Sequence, residues 1–307
     1  MKLSRITRFF TLLLLLVTSA CSAAPAAVTG GEISLQDGLG REVILENPAD
    51  RIVSLSPSVT EILFAVGAGS QVVGRDSFSN YPAEAASIQD VGGSMGSYSL
   101  ETIASLEPDL VIAAEINTPE QVSALEGLGL KVYYLSNPTD LEGIYSMLQT
   151  VGTLSGHANE AVALSNSLRE RVQLVQQTIK TARTKPLVFY ELDGTEPAKP
   201  WTPGPGSFMD ILINEAGGRN AAAGLQSQWA QISIEELLVQ NPDIILLGDS
   251  IYGMTPEQVA DRAGWDGLTA VQQNHIYPFN DDLVSRPGPR LVDGLEELAR
   301  LIHPELY

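Results

Sequence analysis

Ser99-Leu-Glu101-Thr-Ile-Ala-Ser-Leu-Glu-Pro108-Asp109-Leu-Val-Ile-Ala113 recurs 134 residues later as Ser233-Ile-Glu235-Glu-Leu-Leu-Val-Gln-Asn-Pro242-Asp243-Ile-Ile-Leu-Leu247. Ser, Glu, Pro and Asp fall at identical spacing in both copies. A Ser ahead of an apolar-periodic run is a helix N-cap, because its oxygen accepts from an orphan backbone N–H. The Glu two residues on sits in the first turn, where the helix dipole favours negative charge. Pro stops the helix, and the apolar run after Asp reads as a buried strand. A helix, turn and strand unit used twice predicts two lobes of similar build that enclose a cleft, each presenting one acidic residue at an equivalent place.

Outward from the repeat, the remaining segments alternate in the same way. Ile33 to Leu45 reads as a hairpin with its turn at Asp37-Gly38. Strands are expected at Arg51 to Leu55, Val72-Val73, Leu110 to Ala113 and Val132 to Leu135. Ser58 and Glu61 stand at capping-box spacing, and Gly67 ends that helix. From Ser155 to Arg183, Ala161, Leu164, Leu168, Val172, Val175 and Ile179 recur at helical spacing, with no Gly or Pro after Gly156. Such a helix is long for a crossover and suits a rigid connector. The second half repeats the alternation, with a strand at Leu187 to Leu192, helices at Phe208 to Ala216 and around Thr255 to Ala263, a strand at His275 to Phe279 and a closing helix at Arg290 to Ile302. The expected fold is α/β, with two parallel-sheet, Rossmann-like lobes joined by one long rigid helix and a ligand cleft between them. The divisions are 33–154, 155–185 and 186–307.

The first twenty residues are excluded from that fold. Lys2, Arg5 and Arg8 precede an apolar run from Phe9 to Val17 that is too short for a stable span. Thr18-Ser-Ala-Cys21 follows, and small residues before a cysteine resemble a bacterial lipoprotein signal. Cys21 is the one cysteine of the chain, so an internal disulfide is impossible and lipidation is the simpler role. Residues 21–32 read as a flexible tether. Removal of the leader takes the net charge from −19 to −22. That excludes general nucleic-acid binding, since no broad surface could replace phosphate counterions.

Gly92-Gly-Ser94-Met95-Gly96 matches the G-x-S-x-G pattern of hydrolases, but only Val91 is apolar before it, and a Gly-rich loop at the cleft edge is the favoured reading. An exported serine hydrolase using Ser94, with His275 as base, is the alternative of another class. No His or Cys pair stands at ligand spacing, so no metal site is expected. Gly204-Pro-Gly-Ser207 lacks the P-loop Lys and reads as a tight turn. The aromatics concentrate in expected loops: Phe78 and Tyr81 after the second strand of the first lobe, Trp201 after the first strand of the second lobe, and Trp229 just ahead of the repeated Ser-x-Glu. Ligands of open α/β sheets bind beyond the carboxyl ends of the strands, where such aromatics line a cleft. Trp265 reads as core. Arg286 is a lone cation in the Pro/Gly-stiffened loop Ser285-Arg-Pro-Gly-Pro-Arg290, suited equally to a ligand contact or a surface charge.

These residues together are similar to the class III periplasmic substrate-binding proteins of ABC importers, a family that captures cobalamin, ferric siderophores and haem. The resemblance is carried by Arg51 to Leu63, by Val73-Gly74 with Tyr81-Pro82, by the two repeated units and by Arg286 to Arg290. It implies a small-molecule ligand held by Phe78, Tyr81, Met95, Tyr190, Trp201, Trp229 and Arg286, with no cofactor and no catalysis. It also implies that Glu101 and Glu235 dock onto an ABC permease with its ATPase, and that the chain acts as a monomer tethered outside the membrane. The resemblance is nearest to cobalamin-binding members. Trp229 and Phe78 fall where those place aromatics against the corrin, whereas Met95 and Ala114 stand where they carry tryptophans. A ferric siderophore, haem or a non-standard corrinoid stays open.

Overall fold

The computed structural model describes residues 31–93 and 97–307. In chain order the first half comprises strands β1 (Ile33–Gln36), β2 (Glu42–Leu45) and β3 (Ile52–Ser54), helix α1 (Pro57–Ala65), β4 (Val72–Arg75), α2 (Leu100–Ser105), β5 (Leu110–Ala114), α3 (Pro119–Glu126), β6 (Val132–Leu135) and α4 (Leu141–Ser155). Helix α5 (Ala158–Ile179) follows. The second half holds β7 (Leu187–Glu191), β8 (Trp201–Pro203), α6 (Phe208–Glu215), β9 (Arg219–Asn220), β10 (Trp229–Gln231), α7 (Ile234–Gln240), β11 (Ile244–Leu247), α8 (Pro256–Ala260), α9 (Thr269–Gln272), β12 (Ile276–Pro278), α10 (Asp282–Ser285) and α11 (Leu291–Ile302).

Two four-stranded sheets result, ordered β4-β3-β5-β6 and β9-β7-β11-β12, with every pairing parallel. Both orders are second, first, third, fourth, so the lobes share one topology. The duplicated stretch occupies the same place in each. Ser99 caps α2 through Thr102 N–H, and Ser233 caps α7 through Glu236 N–H. Each helix is followed by a left-handed residue just before the proline, Glu107 at φ 47° and Asn241 at φ 49°. The proline therefore does not stop the helix by itself; the turn has already been made one residue earlier. The aspartate after it pins the third strand to the first. Asp109 Oδ2 accepts from the N–H groups of Asp50 and Arg51 at 3.0 and 2.9 Å, and Asp243 Oδ2 accepts from Leu187 N–H at 2.7 Å.

Side chains alternate along these strands with period two. Leu110 and Ile112 of β5, and Ile244 and Leu246 of β11, enter one apolar core that continues through Leu168, Val172 and Val175 of α5. Val111 and Ala113, and Ile245 and Leu247, face a separate outer layer in each lobe. The helix between the lobes thus packs one face onto a core common to both. It spans 22 residues, about 33 Å at 1.5 Å per residue. It is shorter than the expected 155–183 stretch because Gly156, in the left-handed conformation at φ 80°, closes α4 first, and the chain leaves helix after Lys180.

The capping-box expectation for Ser58 and Glu61 fails. Pro57 occupies the first helical turn, which makes Ser56 the N-cap, accepting from Val59 N–H, and leaves Glu61 free for another use. Trp265 is fully buried, donating to Pro197 O at 3.2 Å.

Candidate functional site at the lobe junction

In a parallel sheet of this order, the chain departs in opposite directions from the first and third strands, and a crevice opens beyond their carboxyl ends. In the first lobe, β4 runs into Asp76, which is buried, and burial pushes its carboxyl above the ordinary range. Its two oxygens accept from Phe78 N–H at 2.9 Å and from the Ser79 hydroxyl. Ser79 continues a buried hydroxyl chain through Thr60 to Ser54, each step 2.8 Å. The turn is therefore anchored from below, while Phe78 and Tyr81 project outward, each 46% exposed. Beside it, burial pushes the Tyr98 phenol up to about 12; it donates to Leu55 O at 2.8 Å and accepts from Asn117 Nδ2 at 2.7 Å. Gly93, at φ 104°, lies so close over the Tyr98 ring that a Cβ there would sit 2.3 Å from it.

In the second lobe, a two-stranded antiparallel ribbon of β8 and β10 extends beyond the end of β7. Trp229 pairs with Pro203 and Gln231 with Trp201. Directly opposed residues share a face, as do i and i+2. Trp201 and Trp229 therefore stand as diagonal neighbours on one face, 43% and 48% exposed, while Thr202 on the other face is buried. The sequence placed them in loops; the ribbon was missed because three-residue strands carry no readable period. The turn after β8 packs tightly, since a Cβ on Gly204 would lie 2.0 Å from Ser227 O, and Ser207 caps α6. Beneath the ribbon, the buried Glu191 carboxylate makes a two-pronged pair with Arg262 at 2.5 and 2.9 Å. Burial pushes both Glu191 and its neighbour Asp249 upward.

The two lobes meet through charges. Glu61 of α1, 1% exposed at its side chain, accepts from Arg286 Nη1 at 3.2 Å and from Arg290 Nε at 2.7 Å. Arg286 also donates to Asn80 Oδ1 at 2.8 Å and pairs with Asp282 at 2.8 Å. The Arg290 guanidinium lies 4.0 Å from the Tyr81 ring centroid. Beside them, Arg171 of α5 pairs with Asp293 and Glu296 of α11 at 2.6 and 2.8 Å. A groove of about 620 Å³ between α1, α5 and α11 is bordered by Glu61, Tyr81, Arg171 and Arg290.

The expected site residues separate as follows. Phe78 and Tyr81 share one turn, and Trp201 and Trp229 share one face. Arg286 is not a lone cation, because both its nitrogen ends are taken by Glu61, Asn80 and Asp282. Tyr190 is fully buried: it alternates into the common core, stacks edge-on with Phe279 and donates to Asp281 Oδ1 at 2.7 Å, so it cannot touch a ligand from there. Glu101 and Glu235 are exposed in the first turns of α2 and α7. Cys21, Ser94 and Met95 lie outside the described residues. His275 sits at the amino end of β12, 3.3 Å from Asp243 O, on the opposite edge from the crevice. His157 precedes α5 and His303 is buried against Gly217 O at 3.2 Å. Glu61, Asn80 and Arg290 escaped the sequence reading. The Arg-Pro-Gly-Pro-Arg spacing was the one available signal, because its two cations require an acceptor.

Two matched parallel-sheet lobes joined by one helix, with half-exposed aromatics beyond the carboxyl ends of both sheets, have the architecture of a bilobal binding protein. The chain belongs to the periplasmic binding protein family, whose model matches residues 52–283. It is 31% identical over 280 residues to the uncharacterised ABC transporter substrate-binding lipoprotein YvrC of Bacillus subtilis (strain 168), across 90% of this chain and 87% of the relative. Among solved structures it is similar to the periplasmic vitamin B12-binding protein BtuF of Vibrio cholerae, with 28% identity and a TM-score of 0.72 over 84% of this chain and 98% of that one. It is also similar to the periplasmic haem-binding protein RhuT of Roseiflexus sp. RS-1 in apo form, with 27% identity and a TM-score of 0.75 over 84% of this chain and 100% of that one.

Proposed function

We propose that this chain is the extracytoplasmic substrate-binding lipoprotein of an ABC importer, which captures a corrinoid or a ferric siderophore and delivers it to a membrane permease. The observation that carries this reading is the set of four half-exposed aromatics, Phe78 and Tyr81 from one lobe and Trp201 and Trp229 from the other. Large side chains left in water beyond the carboxyl ends of both sheets offer a preformed apolar surface, suited to a flat or bulky ligand with few polar anchors. A corrinoid is favoured by the likeness to the vitamin B12-binding protein. Haem is the second reading, favoured by the likeness to the haem-binding protein. His275 and His303 lie away from the crevice, so an axial ligand would come from a residue such as Tyr81 or Met95. An esterase reading would need Ser94 beside His275, and the latter belongs to the opposite edge of the other lobe.

Cys21 is the anchor in this reading, and the lobes are residues 33–154 and 186–307. Glu101 and Glu235 are the permease contacts. Their support is that both are exposed and occupy matched positions in the duplicated unit. Calorimetric titration of the full chain with cyanocobalamin, a ferric hydroxamate siderophore and haemin tests the proposal. Saturable binding of one of them is expected. Absence of binding with all three, or turnover of ester substrates, would overturn it.

A further inference from the structure

We propose that Glu61, Arg286 and Arg290 form an interlobe latch that holds the turn bearing Phe78 and Tyr81 in its ligand-facing shape at one spacing of the lobes. They are positioning residues, acting on the ligand through Asn80 and Tyr81. The proposal rests on reading that turn as part of the ligand site.

The latch joins the two lobes by construction. Glu61 comes from α1, while both arginines come from the loop that precedes α11. Each arginine uses part of its guanidinium on Glu61 and part on the turn. Arg286 reaches Asn80 Oδ1, and Arg290 covers the Tyr81 ring. Two prolines and a glycine between them set the distance between the two cations, and Gly288 lies against Ser58 and Ile62 of α1, where a Cβ would meet them at 3.7 to 3.8 Å. Charges balance within the group: Glu61 and Asp282 against Arg286 and Arg290. A buried carboxylate deprived of its partners is strongly unfavourable, so the contact is held or lost as a unit rather than loosened. The polar base of the turn, Asp76 with Ser79, is built within the first lobe, whereas its outer rim at Asn80 and Tyr81 takes support from Arg286 and Arg290 of the second. Any movement that separates the lobes, such as a permease pulling on both, removes that support and frees the aromatic side chains. Grip on the ligand is thereby coupled to lobe spacing.

Hydrogen exchange read by mass spectrometry on the full chain without ligand tests the latch. Glu61→Gln and Asn80→Ala should each raise exchange of peptides covering 76–82 by about tenfold, with peptides covering 110–114 and 244–247 unchanged. The double variant should exceed Glu61→Gln by little, since both act on one support. Asn80 is exposed, so its variant keeps the fold even where Glu61→Gln does not. Unchanged exchange of the turn in Asn80→Ala, or a rise spread evenly over both sheets, would overturn the latch. With cyanocobalamin, a ferric hydroxamate siderophore or haemin, whichever binds the wild type, Asn80→Ala should speed dissociation about tenfold, and an unchanged rate would overturn the coupling to ligand. If none of the three binds, the proposed function falls, and the exchange of the turn alone decides the latch.

Discussion

Replacing Trp229 with alanine separates a ligand-binding face from an incidental surface aromatic. The side chain is 48% exposed. A tryptophan presents roughly 200 Å² in all, so about 100 Å² stays in water, and a ligand lying on the ribbon would cover about half of that. At roughly 25 cal/mol per Å², covering some 50 Å² contributes about 1.2 kcal/mol. Stacking on a conjugated ring adds about 1 kcal/mol. The sum, about 2 kcal/mol, corresponds to a loss of roughly thirtyfold in affinity. The fold should be little affected, because the ribbon register is held by backbone bonds and about half of the side chain already lies in solvent. The measurement is isothermal calorimetry of wild type and variant with cyanocobalamin, a ferric hydroxamate siderophore and haemin, alongside a urea melt. Trp201→Ala should show a similar loss, and the pair should be less than additive if both rings touch one ligand. Affinity within twofold of wild type for every ligand that binds would remove the ribbon face from the site and with it the observation that carries the functional reading.

Other consequences are testable separately. Asp109→Ala should destabilise the fold by about 1–2 kcal/mol in urea, and Asp243→Ala by about 1 kcal/mol, since the first loses two backbone N–H partners and the second one; the reverse order would refute the shared strand-pinning role. The hydrogen bond from Arg171 holds Glu296 below its ordinary value of 4.5, so this contact stabilises the fold fully above pH 4.5 and loses that contribution as pH falls through the depressed folded value. Melting temperature should drop on acidification below pH 4.5, and Glu296→Gln should flatten part of that drop; an unaltered slope would refute it. Glu101→Ala with Glu235→Ala should abolish ligand uptake by whole cells while leaving affinity in solution unchanged, and normal uptake would dismiss permease docking. Cys21→Ala should release the protein from the detergent phase, whereas equal partitioning of wild type and variant would argue against a lipid anchor.

Much of the fold was legible because its signals are local. Ser99 and Ser233 cap the helices that follow them, the apolar runs after Asp109 and Asp243 are strands, and the periodic stretch through Leu168 and Val175 is a single core helix. The errors have local causes too. Pro57 moved the cap from Ser58 to Ser56, and Gly156 cut the long helix short at its start. Strand β9 and the ribbon of β8 and β10 are only two or three residues per strand, too short for alternation to register. Of the site, the exposed aromatics could be picked out from their turn-rich flanks, but Tyr190 could not be told from them. Its strand position gives two faces, and only the packing decides which one meets Asp281 and which the outer layer.

The duplicated helix, turn and strand determined from sequence alone that there are two lobes of one topology, because hydrophobic period and capping chemistry act over a few residues. The pairing of Glu61 with Arg286 and Arg290 was decided only by tertiary structure. These residues are separated by more than two hundred positions, and no rule of local spacing links a carboxylate in the first helix to two arginines near the chain's end. The same holds for the diagonal of Trp201 and Trp229, which exists because two short strands pair in one register. Local sequence sets which segments bury apolar surface; the meeting of distant polar and aromatic groups follows from how the closed core orients the elements that carry them.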